Sequence, residues 1–144
     1  MSAFERFMKG NKIRKESTVD FAATKSLTDE NGNPLIWKLK YISTTELERI
    51  RADATYEEQI PGKFGQVRER LKEDKFNADL MCAAIAYPDL RNEELQDSYG
   101  VTTPGDLLKE MIDNPGEYTR LQNKITEMNG FDETFEEKVD FVKN

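Results

Sequence analysis

The chain has 144 residues, of which 37% are hydrophobic and 34% are charged, so it is long enough to form one domain with a real core. Its formal net charge of −7 argues against a general nucleic-acid binder, which would be basic. The sequence has no histidine and a single cysteine, Cys82, which removes the usual general base, the Ser–His and Cys–His pairs, thiolate zinc sites and an internal disulfide. We therefore expect a non-enzymatic protein without cofactor or metal.

Charge is distributed unevenly between the two ends of the chain. Residues 1–15 carry five basic side chains against one acidic, and residues 131–144 carry five acidic against two basic. Such ends are either solvated surface or a means of steering a partner or a neighbouring copy, which would allow self-association. No apolar run approaches the roughly 20 residues of a membrane span, and the N-terminus lacks the apolar core of a secretory signal. We expect a cytoplasmic protein that does not bind membranes.

The first elements are one or two short amphipathic turns within residues 3–15 and then a β-hairpin over residues 18–41. Apolar residues alternate with polar ones in both predicted strands, at Val19, Phe21 and Ala23 and at Leu35, Trp37, Leu39 and Tyr41. Between them, Asn31-Gly32 supplies the positive φ angles of a tight turn. This turn is not a calcium loop, because Leu27 stands where the first carboxylate is needed. The strand spacing of Trp37 favours a place in the hairpin core over a role as a binding aromatic.

A helical body is predicted to follow over residues 43–144. It begins at the capping box Ser43-Thr44-Thr45-Glu46, and the first helix should end near Pro61-Gly62. Residues 55–75 are expected to form a mobile connection or arm, with a short, highly charged helix around Val67 and Leu71. A further helix is predicted from Phe76 to Tyr87, with Pro88 as its stop and Cys82 as a small buried residue.

Two helix starts are written in the same way later in the chain. Thr103 and Asn114 are each followed by proline, glycine and a carboxylate, Asp106 or Glu117. A short polar N-cap, proline at the first helical position and a carboxylate that completes a capping box are typical of helix N-termini. The sequence therefore predicts two helices here, with apolar faces formed by Leu107, Leu108, Met111 and Ile112, and by Tyr118, Leu121, Ile125 and Met128.

A last helix is predicted after Asn129-Gly130, with Phe131, Phe135, Val139 and Val142 on one stripe. This stripe either covers the helical core or forms part of a groove for a partner. Phe141 lies about 200° around the helix from Val139, so it should be exposed beside two carboxylates. We therefore hypothesise a partner-binding surface formed by Phe131, Phe135, Glu137, Asp140 and Phe141.

Taken in order, these motifs resemble one known family over nearly the whole chain, the XkdN-like phage tail assembly chaperones of phages and phage-like elements of Gram-positive bacteria. The resemblance is carried by Phe4–Asn11 (FERFMKGN), the hairpin residues Asp29, Gly32, Pro34 and Trp37, Ile42-Ser43, Tyr87–Leu90 (YPDL), Glu94–Gly100 (ELQDSYG), Leu107-Leu108, Pro115–Tyr118 (PGEY), Asn129–Phe131 (NGF) and Lys143-Asn144.

The resemblance implies a binding role and no reaction. Proteins of this kind are thought to hold the long, aggregation-prone tape measure protein soluble, to help tail tube subunits gather on it, and to be absent from the finished particle. The expected protein is a single α+β domain over residues 1–144, with an N-terminal β-hairpin packed on a mostly helical body. Its expected partners are the tape measure protein and the tail tube protein. The alternative is a structural completion or connector protein that stays in the particle, and an enzyme using paired carboxylates is a third reading.

Overall fold

The computed structural model describes residues 2–13 and 17–131 and shows the predicted α+β fold. Two short 3-10 turns, Glu5–Phe7 and Lys9–Asn11, precede the first strand. The strands are β1 (Val19–Phe21), β2 (Trp37–Leu39), β3 (Thr55–Gln59), β4 (Val67–Leu71) and β5 (Ile85–Tyr87). The helices are α1 (Thr44–Asp53), α2 (Glu73–Ala83), α3 (Glu93–Ser98), α4 (Pro104–Met111) and α5 (Pro115–Met128). No described helix is long and apolar enough to cross a membrane.

The predicted N-terminal hairpin is present, but its strands are shorter than the alternating pattern implied. β1 and β2 are antiparallel, with Val19 opposite Leu39 and Phe21 opposite Trp37. The turn between them is tied by the Asp29 carboxylate, which accepts hydrogen bonds from the backbone N–H groups of Asn31 and Asn33, each at 2.9 Å. Trp37 is only 2% exposed, so its predicted place in the core is confirmed.

The hairpin is part of a three-stranded sheet, because β5 pairs antiparallel with β2 on the side away from β1. The prediction of a helix from Phe76 to Tyr87 is therefore wrong at both ends. α2 starts three residues earlier and ends at Ala83, after which the Lys40 backbone N–H donates to the Ala84 carbonyl at 2.7 Å. The backbone groups of this segment are satisfied by a distant strand, which helical periodicity alone does not reveal.

The region after α1 contains the largest departure from the predicted elements. α1 ends at Asp53 and not near Pro61-Gly62, and residues 55–71 form an antiparallel pair, β3 with β4. Among the described residues no third strand joins this pair. The short charged helix expected around Val67 and Leu71 is wrong, since both residues lie in β4. Cross-strand backbone bonds and ion pairs hold this segment, whose burial pattern is exposed along the whole of β4.

The predicted N-caps are confirmed, but the Glu46 and Asp106 carboxylates form no reciprocal capping-box bond among the described hydrogen bonds. The side chains of Ser43, Thr103 and Asn114 accept hydrogen bonds from the backbone N–H three residues on, at 3.1, 3.2 and 3.0 Å. Pro104 and Pro115 stand at the first helical positions of α4 and α5. The same chemistry starts α3, which the predicted elements omit: Asn92 accepts from the Leu95 backbone N–H at 2.9 Å.

The prediction that the Glu117 carboxylate completes a capping box at α5 is wrong. Its two oxygens accept hydrogen bonds from the Thr24 hydroxyl and the Lys25 backbone N–H, each at 2.8 Å. One turn later, the Arg120 guanidinium donates to the Ala22 carbonyl and lies 4.7 Å from the centroid of the Phe21 ring. The first turns of α5 therefore fasten the end of β1 to the helical body.

One apolar core joins the three-stranded sheet to the helices. Its buried side chains come from β2, α2, β5, α4 and α5 and include Trp37, Leu39, Met81, Ile85, Leu107, Leu108, Met111, Ile112, Leu121 and Ile125. The apolar faces predicted for α4 and α5 are thus directed into this core.

Candidate partner-binding surface

The described residues contain no group of three or more acidic or cysteine side chains placed to hold a metal ion. Cys82 is half-buried on α2, and burial, reinforced by the nearby Asp79 carboxylate, raises the pKa of its thiol to about 11. A thiol with this pKa is almost entirely protonated at neutral pH, and the thiolate is the reactive form. Cys82 is therefore a poor nucleophile at neutral pH.

Of the five residues in the hypothesised C-terminal surface, the structure describes Phe131. It follows Gly130, whose φ of +75° closes α5, and its backbone N–H donates to the Thr126 carbonyl at 2.9 Å. This is the hydrogen-bond pattern of a Schellman motif. The Phe131 side chain is 39% exposed at this end of the molecule. Phe135, Glu137, Asp140 and Phe141, like the helix predicted to carry them, lie outside the described residues.

Residues 2–13, here called the N-terminal segment, display apolar side chains to solvent. Phe7 is 87% exposed and Ile13 is 92% exposed, and Phe4 and Met8 are also exposed. The basic side chains Arg6, Lys9 and Lys12 lie among them, against the single acidic residue Glu5. The two 3-10 turns contain no buried residue. The segment is thus amphipathic in composition, with its apolar side chains uncovered.

Residues 55–71, here called the ribbon, form a second surface that stands apart from the core. The Lys72 backbone N–H donates to the Ala54 carbonyl at 2.8 Å and closes its base between α1 and α2. At the opposite end, Gly62 and Gly65 have φ angles of +77° and frame a turn whose Phe64 side chain is 99% exposed. The only sequence signal for this tip was an aromatic residue within a Gly-Lys-Phe-Gly turn, which by itself does not predict a surface.

The two faces of the ribbon differ in charge. Directly opposite residues of an antiparallel pair point to the same face, so Tyr56, Glu58, Arg68 and Arg70 share one face. There the Glu58 carboxylate lies 3.3 Å from Arg68 Nε and 3.6 Å from Arg70 Nη1. Its negative charge is therefore compensated within the ribbon.

The other face, here called the acidic face, is formed by the pairs Thr55–Leu71, Glu57–Glu69 and Gln59–Val67. Glu57 and Glu69 are directly opposite each other, an arrangement of like charges that destabilises a strand pair. Among the ion pairs of residues 2–13 and 17–131, none involves either carboxylate. Val67 and Leu71 are exposed on the same face, which thus combines apolar side chains with uncompensated negative charge.

A groove of about 520 Å³ runs between this face and α1. Its charged lining residues are the acidic Glu48, Glu57 and Glu69 and the basic Arg51. Arg51 is partly engaged elsewhere, since its guanidinium carbon lies 5.4 Å from the centroid of the Phe76 ring. The groove is therefore suited to a cationic side chain on an apolar segment.

Comparisons with known proteins identify the family to which this fold belongs. The family model for the phage XkdN-like tail assembly chaperone protein matches residues 4–143. Two Bacillus subtilis (strain 168) proteins align over 138 residues, 96% of this chain and 91% of each relative: the phage-like element PBSX protein XkdN at 29% identity and the uncharacterized protein YqbN at 30%. A crystal structure of YqbN, 25% identical, has a TM-score of 0.72 and is matched over 92% of this chain and 99% of that one. The chain therefore belongs to the XkdN-like phage tail assembly chaperone family, as its sequence motifs implied.

Proposed function

We propose that this protein binds the tape measure protein encoded with it and keeps that protein soluble while tail tube subunits assemble around it. The proposal rests on membership of the tail assembly chaperone family. Its physical support is the concentration of uncovered apolar side chains on the N-terminal segment and the ribbon, outside a well-packed core. Clusters of exposed apolar residues on a soluble domain are typical of sites that bind other proteins.

The carboxylates beside these apolar residues favour a basic, amphipathic partner. On the ribbon, Glu57 and Glu69 flank Val67 and Leu71 without a compensating ion pair in the described structure. The C-terminal surface proposed from the sequence has the same composition, with Phe131, Phe135 and Phe141 beside Glu137 and Asp140. Apolar anchors give such an interface most of its affinity, and charges at its rim give it speed and selectivity.

The direct test is co-expression with the tape measure protein of the same element, followed by a solubility assay and a pull-down. The tape measure protein should move from the insoluble to the soluble fraction and should be retained with this chain. If it is equally insoluble with and without this chain, the proposed function is refuted. Tail particles should then be purified and analysed, because a structural completion or connector protein would remain in them and a chaperone would not.

The C-terminal contact can be tested in the same assay with Phe141→Ala. Loss of an aromatic anchor should weaken tape measure binding by about 1–3 kcal/mol and leave the melting temperature unchanged. Tyr87→Ala is the matched control, since Tyr87 is an exposed aromatic residue on β5, and it should bind as the parent does. Equal binding by the Phe141→Ala protein and the parent would place the contact elsewhere.

A further inference from the structure

We propose that this protein self-associates through the N-terminal segment of one copy, which docks on the acidic face of the ribbon of a second copy. This contact uses surfaces that also support the proposed binding of the tape measure protein, but it does not depend on that binding. Both of its halves are present in the described structure, and each leaves apolar side chains in water.

The ribbon would be stabilised by a partner that packs on its acidic face. Two-stranded hairpins are marginally stable in water unless a hydrophobic face packs on something. No third strand joins the ribbon within residues 2–13 and 17–131, and β4 is exposed at every position. Its acidic face adds a repulsion between Glu57 and Glu69, which a cation placed between the two carboxylates would convert into attraction. An apolar segment carrying a basic side chain would therefore stabilise this face in two ways.

The N-terminal segment has the matching chemistry. It presents Phe4, Phe7, Met8 and Ile13 without burying any of them, and its charged side chains are three basic residues and one acidic residue. The segment is thus positive by two charges, and the acidic face of the ribbon is negative by two. Both partners in this contact combine exposed apolar area with opposite charge, which is the complementarity that selects and orients protein interfaces.

The net charge of the chain makes this contact easy to distinguish from unspecific association. At −7, two copies repel each other overall, and a local meeting of opposite charges offsets this repulsion at the proposed contact. Attraction of this kind between exposed groups weakens as salt screens it. We therefore expect an oligomer whose dissociation constant rises between about 50 mM and about 500 mM NaCl.

The test uses sedimentation velocity on the full chain over a range of concentrations, with charge-reversal variants on each half. The head variant is Lys9→Glu with Lys12→Glu, and the ribbon variant is Glu57→Lys with Glu69→Lys. Each should weaken self-association by about tenfold or more, because like charges then face each other. Weaker association of the ribbon variant would distinguish this contact from unspecific association. Its substitutions reduce the net negative charge, so unspecific association would become stronger.

Two further samples and one control variant complete the experiment. A chain with all four reversals restores opposite charges across the contact and should associate within about threefold of the parent. An equimolar mixture of head and ribbon variants should associate more strongly than either alone, because opposite charges then meet in both possible contacts between unlike copies. The control is Glu110→Lys with Asp113→Lys, the same charge change at exposed positions near the end of α4, which should not weaken association.

Circular dichroism and melting curves of every variant confirm that the fold is retained, and recovery in the fourfold variant shows the same. The proposal is overturned if the parent chain is a monomer at every concentration and salt level. It is equally overturned if the ribbon variant associates as well as the parent, or if the fourfold variant does not recover. A monomeric parent that binds the tape measure protein through the ribbon would leave the proposed function intact and refute this contact alone.

Discussion

Replacing Asn114 with alanine should destabilise the protein by removing the N-cap of α5. The Asn114 side-chain oxygen accepts the hydrogen bond of the Glu117 backbone N–H at 3.0 Å, and this N–H has no partner inside the helix. The site is exposed, so water can replace the lost acceptor and no buried group is left without a partner. Loss of a cap in such a setting costs about 1 kcal/mol.

This free energy corresponds to a measurable change in the melting temperature. Unfolding entropies are about 2.1 cal/mol/K per residue, which for a chain of 144 residues gives roughly 0.3 kcal/mol/K at the midpoint. A loss of 1 kcal/mol should therefore lower the melting temperature by about 3 °C. Differential scanning calorimetry measures the shift, and urea unfolding followed by circular dichroism gives the free energy independently.

Two further variants make the test specific to capping. Asn114→Gly should cost only a few tenths of a kcal/mol, because glycine is itself tolerated at the N-cap. Thr103→Ala removes the equivalent cap of α4, and the double variant should lose about 2 kcal/mol if the two caps act independently. A role for Asn114 as the N-cap of α5 is refuted if Asn114→Ala melts as the parent does, or if the glycine variant loses as much stability as the alanine variant.

Three other outcomes follow from the structure. Trp37, buried in the core, should emit at short wavelength in the native state, and Trp37→Ala should cost about 3–5 kcal/mol in urea unfolding; emission typical of free indole would contradict the burial. The Lys25 N–H and then the Thr24 hydroxyl hold the pKa of Glu117 below its usual range. The ionised carboxylate therefore stabilises the fold fully above the unfolded pKa of 4.5, and this stabilisation is lost as pH falls through the folded pKa. The difference in melting temperature between the parent and Glu117→Gln should be constant above about pH 6 and should narrow towards about pH 3. The raised pKa of Cys82 should slow its alkylation at pH 8 by about 100-fold relative to the urea-unfolded chain, and equal rates would refute it.

The features that the sequence predicted well are those determined by neighbouring residues. The caps at Ser43, Thr103 and Asn114 each need one side chain and one backbone N–H three positions away, so the local sequence contains the whole interaction. The burial of Trp37 follows from strand alternation in the same way. α3 had an equally local signal at Asn92, and its short length of six residues hid the apolar periodicity that would have supported it.

The features that the sequence did not predict depend on distant or unburied partners. The run Ile85–Tyr87 continues a helical pattern, and only pairing with β2, more than forty residues earlier, makes it a strand. The ribbon has no buried face, so the alternation that normally identifies strands is absent from Val67–Leu71. The sequence did not predict the acidic face of the ribbon for the same reason. Solvent-exposed strand residues such as Glu57 and Glu69 leave no hydrophobic signature in the sequence.

The closure of the ribbon's base has a consequence for how this scaffold can vary. One backbone hydrogen bond, from the Lys72 N–H to the Ala54 carbonyl, joins the end of α1 to the start of α2 at the base of the ribbon. Packing of the core therefore does not depend on the number of residues between Ala54 and Lys72, and insertions at exposed turns are generally tolerated. We therefore expect that lengthening, shortening or exchanging the ribbon leaves the fold of the remaining domain intact. The same property makes the turn at Gly62–Gly65 a natural point for inserting a fluorescent reporter into the full-length protein.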